Sequence, residues 1–273
     1  MQEDKFIEIT DRLLARIKAK SDAFDSYLDS LPIVVECENH AGVDTTLNRD
    51  KSYKVEKAVY DCPSCQEEAF ARWLKRKMVE AGIPHDVLHA TLENFEIDRP
   101  DVKTGEWFKT PDYFLSAAHD LLEGKIRNVF FCGTPGIGKG HLAAAICREV
   151  LSTHDTVAWV ECSRLFQAYH NAYKTDTTES VINRYANPTL LVLDELCLRD
   201  LPADGEEILF NILDRRHKTR APTILLGNKP AKDTRAFLGS RISDRLRSGT
   251  LAYCYGEWPS LRGTEKDGST FEF

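Results

Sequence analysis

Gly133-Thr134-Pro135-Gly136-Ile137-Gly138-Lys139-Gly140 is a stretch whose residue types and spacing suit one task, holding a chain of phosphates. Its glycines let the backbone curl until successive N–H groups point inward at an anion. Lys139 sets a point charge beside the outer phosphates of a nucleoside triphosphate. The helix predicted behind the loop, which begins with His141 among its first residues, turns its positive dipole end to the same place. Gly140 departs from the usual pattern, because a Ser or Thr hydroxyl normally stands there and touches Mg²⁺. Water in that coordination position, or weaker metal binding, is the expected consequence. Nucleotide binding is therefore predicted more directly than fast hydrolysis, and a nucleotide-gated adaptor that does not hydrolyse stays open.

A second acidic centre follows fifty-five residues beyond Lys139, where Leu190-Leu-Val-Leu-Asp194-Glu195 runs from an apolar strand into two carboxylates. Such a strand delivers its carboxylates to the carboxyl edge of a parallel sheet, where open α/β sheets bind ligands. Asp194 is predicted to hold Mg²⁺, directly or through water, and Glu195 to orient the attacking water. A helix-capping Asp-Glu pair is the structural alternative. Asn228, at the end of Thr223-Ile-Leu-Leu-Gly-Asn228, reaches the same edge and is placed to sense the γ-phosphate, unless it only forms a turn. Arg241 and Arg245 lie one helical turn apart, and planar guanidinium suits γ-phosphate recognition from a neighbouring subunit. A surface salt bridge is the plainer role for either.

Cys37-x-x-His40 and Cys62-x-x-Cys65 form two ligand pairs separated by 21 residues. Thiolate and imidazole at that spacing bite one side of a tetrahedral ion, and two pairs close a structural Zn²⁺ site. The polar stretch between them has too little apolar content to fold without such a staple. A redox Cys-x-x-Cys is the rival reading, but no βαβ pattern surrounds it. Cys132, Cys147, Cys162, Cys197 and Cys254 lie singly in apolar stretches and are expected to be core residues.

Around these groups the apolar pattern predicts the elements that must position them. Val129–Cys132 reads as a strand entering the glycine-rich loop, with Leu142, Ile146 and Val150 on the helix behind it. Strands are predicted at Thr156–Glu161, Leu190–Leu193, Thr223–Leu226 and Leu251–Tyr255, separated by helical stretches. Those include one carrying Leu165, Phe166, Tyr169 and Tyr173, one carrying Ile208 to Leu213, and Arg235–Arg247. Such alternation implies a parallel sheet with helices on both faces. Upstream, about 5–30 suggests one or two amphipathic helices (Phe6, Ile9, Leu13, Ile17, then Phe24, Leu28, Leu31). Residues 33–62 read as polar and irregular, and Gln66–Ala81 as a helix with a basic cluster of Arg72, Lys75, Arg76 and Lys77. Gly82-Ile83-Pro84 breaks the pattern. The division expected is a helical, zinc-binding module over 1–85 and a nucleotide-binding domain over 86–273.

The chain has 273 residues and a net charge of −7. Residues 1–85 carry 13 Lys/Arg against 16 Asp/Glu and the remainder 23 against 27, so neither part is basic and any DNA contact needs a local patch. No apolar run is long enough to span a bilayer and the first residues, MQEDKFIEIT, are no signal peptide, so a cytoplasmic protein without membrane contact is expected.

Gly136–Ile146 (GIGKGHLAAAI), the preceding Ala90–Phe95 (ATLENF), LLVLDEL and LGSRISDRL together resemble the DnaC/DnaI helicase-loader and IstB-like branch of AAA+ proteins, over about residues 82–262. The resemblance implies the AAA+ P-loop sheet with flanking helices, ATP/ADP and Mg²⁺ as cofactors, and ATP hydrolysis. It also implies self-association, single-stranded DNA in a groove, and delivery of a replicative hexameric helicase to DNA. By position it implies sensor roles for Asn228 and Arg262 and an arginine finger at Arg245, with Arg241 beside it. The DNA contact is expected around Arg164–Arg184, where Tyr169, Tyr173 and Lys174 interleave aromatic and basic character. In some loaders of this branch a zinc-bearing N-terminal module docks on the helicase. The nearest alternative is an IstB-like transposition ATPase partnering a transposase. A small-molecule P-loop kinase has no use for a trans-acting Arg245.

Overall fold

In the computed structural model, which describes residues 18, 20–55, 57–95, 98–100, 107–109, 112–198, 200–258 and 260, the chain divides into two compact units, Met1–Trp73 and Leu74–Phe273. The division falls inside a helix, ahead of the Gly82-Ile83-Pro84 break. Phe6, Ile9, Leu13 and Ile17 lie outside the described residues.

The first unit begins with helical residues 20–29 (α1) and continues through β1 (Val34–Cys37), β2 (His40–Leu47), α2 (Arg49–Val55), β3 (Tyr60–Asp61) and the start of α3 (Pro63–Glu80). The stretch read as irregular is thus a small antiparallel sheet, ordered β1-β2-β3. Its strands escape a pattern search because little of either face is apolar and buried. Among the described residues of this unit four are buried, Leu28, Thr45, Ser52 and Cys62, and of these only Leu28 is a large apolar side chain. Polar bonds do the joining instead. Asn48 caps α2 by accepting the Lys51 N–H at 2.9 Å and donates to Asp61 at 2.6 Å, while Arg49 forks to Asp25 and Asp29 at 3.0 and 2.7 Å. The basic cluster of α3 is largely a solvated helix face, with Arg72 paired to Glu68 within this unit.

The second unit takes up the rest of α3, where Leu74 and Met78 are buried and Arg76 and Lys77 pair with Glu80. A hairpin of β4 (Asp98–Pro100) and β5 (Trp107–Lys109) follows, then α4 (Tyr113–Leu122), β6 (Asn128–Gly133), α5 (Lys139–Ser152), β7 (Val157–Glu161), α6 (Cys162–Tyr173) and α7 (Thr178–Ala186). The chain ends with β8 (Leu190–Leu196), α8 (Gly205–Thr219), β9 (Thr223–Gly227), α9 (Ala231–Ser248) and β10 (Leu251–Gly256).

The sheet is wholly parallel in the order β10-β6-β9-β8-β7, which makes this an α/β fold of the AAA+ kind. Alternation sends Phe130, Cys132, Val160, Leu191, Leu193 and Leu225 into a core shared with α6, α7, α8 and α9. The opposite residues, such as Phe131, Val192 and Ile224, face α4 and α5. All five singly placed cysteines are buried, and burial pushes the Cys132, Cys147, Cys162, Cys197 and Cys254 thiols up, out of reach of thiolate chemistry. Among the described residues no helix is long and apolar enough to cross a membrane.

Among the described residues one charged side chain is buried in this unit. Arg216 on α8 is 1% exposed and donates to the carbonyls of Tyr185, Ala186, Pro188, Thr189 and Pro222 and to the Thr223 hydroxyl. It ties the end of α7 to the entries of β8 and β9, satisfying carbonyls that would otherwise be buried without donors.

Candidate functional site

The carboxyl ends of the parallel strands meet along one sheet edge, and the sequence places its chemistry there. β6 runs into the loop at Gly133 and α5 starts at Lys139, so the strand–loop–helix context of a phosphate loop is present. Gly133, Gly136 and Gly138 adopt φ of +129°, +82° and +94°. At two of them any larger residue also meets an obstacle: a Cβ on Gly133 would lie 1.8 Å from the Gly256 carbonyl, and one on Gly136 1.9 Å from the Ser260 hydroxyl. The loop is tied to the end of β10, with the Thr134 N–H bonded to Gly256 O at 3.1 Å and its hydroxyl to Trp258 O at 3.2 Å. Pro135 is exposed and Ile137 is buried beneath the curl.

Lys139 Nζ donates to Gly133 O and Thr134 O at 2.9 Å each, which keeps the ammonium across the loop. Gly140 sits in the first turn of α5, and the nearest obstacle to a Cβ there is Val87 Cγ1 at 3.9 Å, so a hydroxyl-bearing side chain fits. His141 turns toward the preceding segment and bonds Asn94 Oδ1 at 2.8 Å. Arg148, further along α5, holds the carbonyls of Leu88 and Ala90 at 2.6 and 2.9 Å. The ATLENF stretch is thus fastened to the helix behind the loop.

β8 delivers the two carboxylates through a local distortion. Its pairing with β9 shifts between Leu193 and Leu196, and Glu195 and Cys197 have φ of +55° and +67°, conformations that residues with side chains adopt rarely. Asp194 is half-buried and Glu195 exposed. One Asp194 oxygen accepts the Glu195 N–H at 2.7 Å and the other the Trp159 indole N–H at 3.2 Å. Burial raises the Asp194 carboxyl above the usual range, against the lowering effect of those two donors. Asn228 follows β9 directly, exposed, at the same sheet edge as Asp194 and Glu195.

The arginines gather on a different face, built from α8 and α9. Gly239, at φ +74°, kinks α9 ahead of them. Arg241 stacks 4.0 Å over the Phe210 ring, while Arg245 donates to Asp214 at 2.8 Å and to Asp244 at 3.4 Å. With Arg235 and Arg247 they line a cavity of about 470 Å³. Both arginines therefore share one side of α9, as their spacing predicts. Arg262 lies outside the described residues. In the stretch expected to meet DNA, Tyr169 packs on the core edge, Tyr173 is 76% exposed and Lys174 is exposed, while Arg164 pairs with Glu161 at 2.9 Å.

The four predicted metal ligands converge within the first unit. β1 and β2 turn between Cys37 and His40, which face each other in register, and β3 leads into Cys62 and Cys65 at the start of α3. His40 Nδ1 lies 3.6, 3.7 and 3.4 Å from the sulfurs of Cys37, Cys62 and Cys65, and the Cys37 and Cys65 sulfurs are 3.7 Å apart. A tetrahedron with Zn–S of about 2.3 Å and Zn–N of about 2.0 Å has edges of about 3.8 Å and about 3.5 Å. The residues present fit zinc. The Cys65 N–H points at the Cys62 sulfur at 3.4 Å, and Glu68 takes the other ring nitrogen of His40 at 3.0 Å. The hydrogen bond to Glu68 raises the imidazole to about 9, and the hydrogen bond from His40 lowers the Cys37 thiol to about 6.

Two supporting residues went unread in the sequence. Glu68 stands 28 positions from His40 and carries no spacing signature of its own. Trp159 is one apolar residue in an apolar strand, and only its N–H, which needs a partner when buried, marked it.

Comparisons with known proteins bear on the second unit. Residues 111–246 match the model of the family described as IstB-like ATP binding protein. The replicative helicase loader DnaC of Escherichia coli K12 is 33% identical over 153 residues, which is 54% of this chain and 62% of that protein. The alignment thus spans less than two thirds of that relative's length. The DnaC loader of Buchnera aphidicola subsp. Baizongia pistaciae is 27% identical over 193 residues, 69% of this chain and 76% of its own. Among solved structures, a DnaC helicase loader superposes with a TM-score of 0.52 at 17% identity, over 63% of this chain and 99% of that one. That likeness shows the fold.

Proposed function

We propose, from the premise that residues 111–246 form an IstB-like ATP-binding domain similar to that of the DnaC loaders, that this protein is an ATP-dependent loader of a replicative hexameric DNA helicase. The observation that carries the reading is the pairing of a curled Gly133–Lys139 loop with a distorted β8 that brings Asp194 and Glu195 to the same sheet edge. Backbone N–H groups from Gly136 to Gly140 and the Lys139 ammonium take the phosphates of ATP or ADP. Asp194 holds Mg²⁺, which supplies Lewis-acid charge at the phosphates when bound. Glu195 orients the attacking water and Asn228 reports the γ-phosphate. Turnover is slow because Gly140 offers no hydroxyl to the metal.

Arg241 and Arg245 reach the nucleotide of a second copy in a self-associated array, with Arg262 as a further sensor. Tyr173 and Lys174, exposed on α6 and just after it, support single-stranded DNA contact along α6 and α7. The N-terminal module, residues 1–85, docks on the helicase, and zinc on Cys37, His40, Cys62 and Cys65 staples the polar stretch between those ligands. The protein works in the cytoplasm.

A transposition ATPase partnering a transposase is the second reading, favoured by the family whose model matches. Affinity capture with the full chain, with and without ATP, separates the two. Retention of the host's replicative helicase, altered by ATP and insensitive to ATP in Lys139→Ala, is the expected result. Capture of a transposase with no helicase would overturn the loader reading.

A further inference from the structure

We propose that Trp159 is a positioning residue for Asp194, and that it ties the acidic centre to the Ala81-Gly82 segment on the outer edge of the sheet. The inference rests on the reading of Asp194 as the Mg²⁺ carboxylate. β7 is an edge strand, and Trp159 pairs in register with Val192 while Asp194 stands opposite Glu161. Asp194 is therefore the diagonal neighbour of Trp159 on the same face, a distance that an indole spans and a smaller side chain does not. The indole N–H reaches Asp194 Oδ2 at 3.2 Å while the Glu195 N–H holds Oδ1 at 2.7 Å. With one donor on each oxygen the carboxylate cannot rotate freely, and each oxygen keeps a further lone pair for a cation. Partners of this sort, which orient a metal ligand without touching the metal, commonly change metal affinity by about tenfold or more when removed.

Trp159 is itself fixed from the other side. Its backbone N–H donates to Ala81 O at 2.8 Å, so the segment after α3 covers the open edge of β7. The close approach depends on Gly82, which has φ +88°, and a Cβ there would lie 2.7 Å from the Trp159 carbonyl. A side chain at 82 would displace the edge strand at the residue that holds Asp194. Trp159 is 6% exposed, so its side chain has little room to compensate.

The test uses the full chain and fluorescent ATP, titrated first in EDTA and then with Mg²⁺ at fixed nucleotide. Asp194→Asn is the reference. Trp159→Phe is expected to raise the Mg²⁺ concentration at half-saturation by about tenfold while metal-free nucleotide affinity stays within about twofold. Gly82→Ala should shift it in the same direction by a smaller factor. Replacing the Trp159 ring by its benzothienyl analogue, which keeps the shape and loses the N–H, repeats the measurement if the phenylalanine variant does not fold. An unchanged Mg²⁺ midpoint in the Trp159 variants beside a shifted Asp194→Asn overturns the proposal, as does an equal loss of metal-free binding. An unchanged midpoint in Asp194→Asn would instead overturn the role given to Asp194.

Discussion

The two units of this chain solve the same problem, holding a functional group in place, with different means. In the second unit an all-parallel sheet is buried on both faces, and the sealed Arg216 supplies donors where backbone carbonyls would be stranded. Among its described residues the first unit buries one large apolar side chain, Leu28, and is joined by Asn48, Arg49 and the Cys37, His40, Cys62, Cys65 cluster. An apolar core supplies stability in proportion to area, whereas a metal site supplies it through four ligands at once. One unit should therefore lose its structure gradually with core substitutions, and the other abruptly with its metal.

Chelation is the strongest way to press that contrast. Structural zinc contributes on the order of 10 kcal/mol at neutral pH, so Cys62→Ser or removal of the metal should abolish protection of amides in 20–73. Hydrogen exchange followed by mass spectrometry should show the sheet of the second unit unaffected, and equal loss in both would break the comparison. Lys139→Ala should act the other way round. Loss of its phosphate-facing charge is expected to weaken ATP binding by about a hundredfold, with zinc content unchanged by elemental analysis.

Glu68→Gln sharpens the comparison at the level of a supporting side chain. With its hydrogen bond to His40 weakened, zinc affinity measured by competition with a chromogenic chelator should fall by about tenfold, and nucleotide affinity should not move. Gly140→Ser gives the smallest effect. The site has room for the side chain, since a Cβ there meets only Val87 Cγ1 at 3.9 Å. The added hydroxyl should lower the Mg²⁺ midpoint by about threefold, and a midpoint that rises would show that Gly140 is required for the backbone instead.

What could be read from sequence follows the same division. The strands around Phe131, Val192 and Leu225 declare themselves as apolar runs, because a parallel sheet covered on both faces must be apolar throughout. The curled loop and the strand end carrying Asp194 and Glu195 were legible because each is local, and the Cys37, His40, Cys62, Cys65 cluster because two short pairs suffice. β1 and β2 were not, since Val34 and Val35 stand side by side in β1 although only Val35 is turned partly inward, and the buried residue of β2 is Thr45, so residue type does not follow the burial. Trp159 with Asp194 and Glu68 with His40 are contacts across 35 and 28 positions, brought together by strand register in the first case and by the approach of α3 to β2 in the second. Arg216 left a trace. It stands four residues after Ile212 on the apolar stripe of α8, where a charge has to be accounted for.

The central claim is that the backbone from Gly136 to Gly140 wraps a triphosphate with Asp194 across from it. A crystal structure with a non-hydrolysable ATP analogue and Mg²⁺ tests this directly. Phosphate oxygens within hydrogen-bond reach of those amides and Lys139, with the cation beside Asp194, is the predicted result. Analogue seated elsewhere, or Asp194 turned away from the cation, would contradict it.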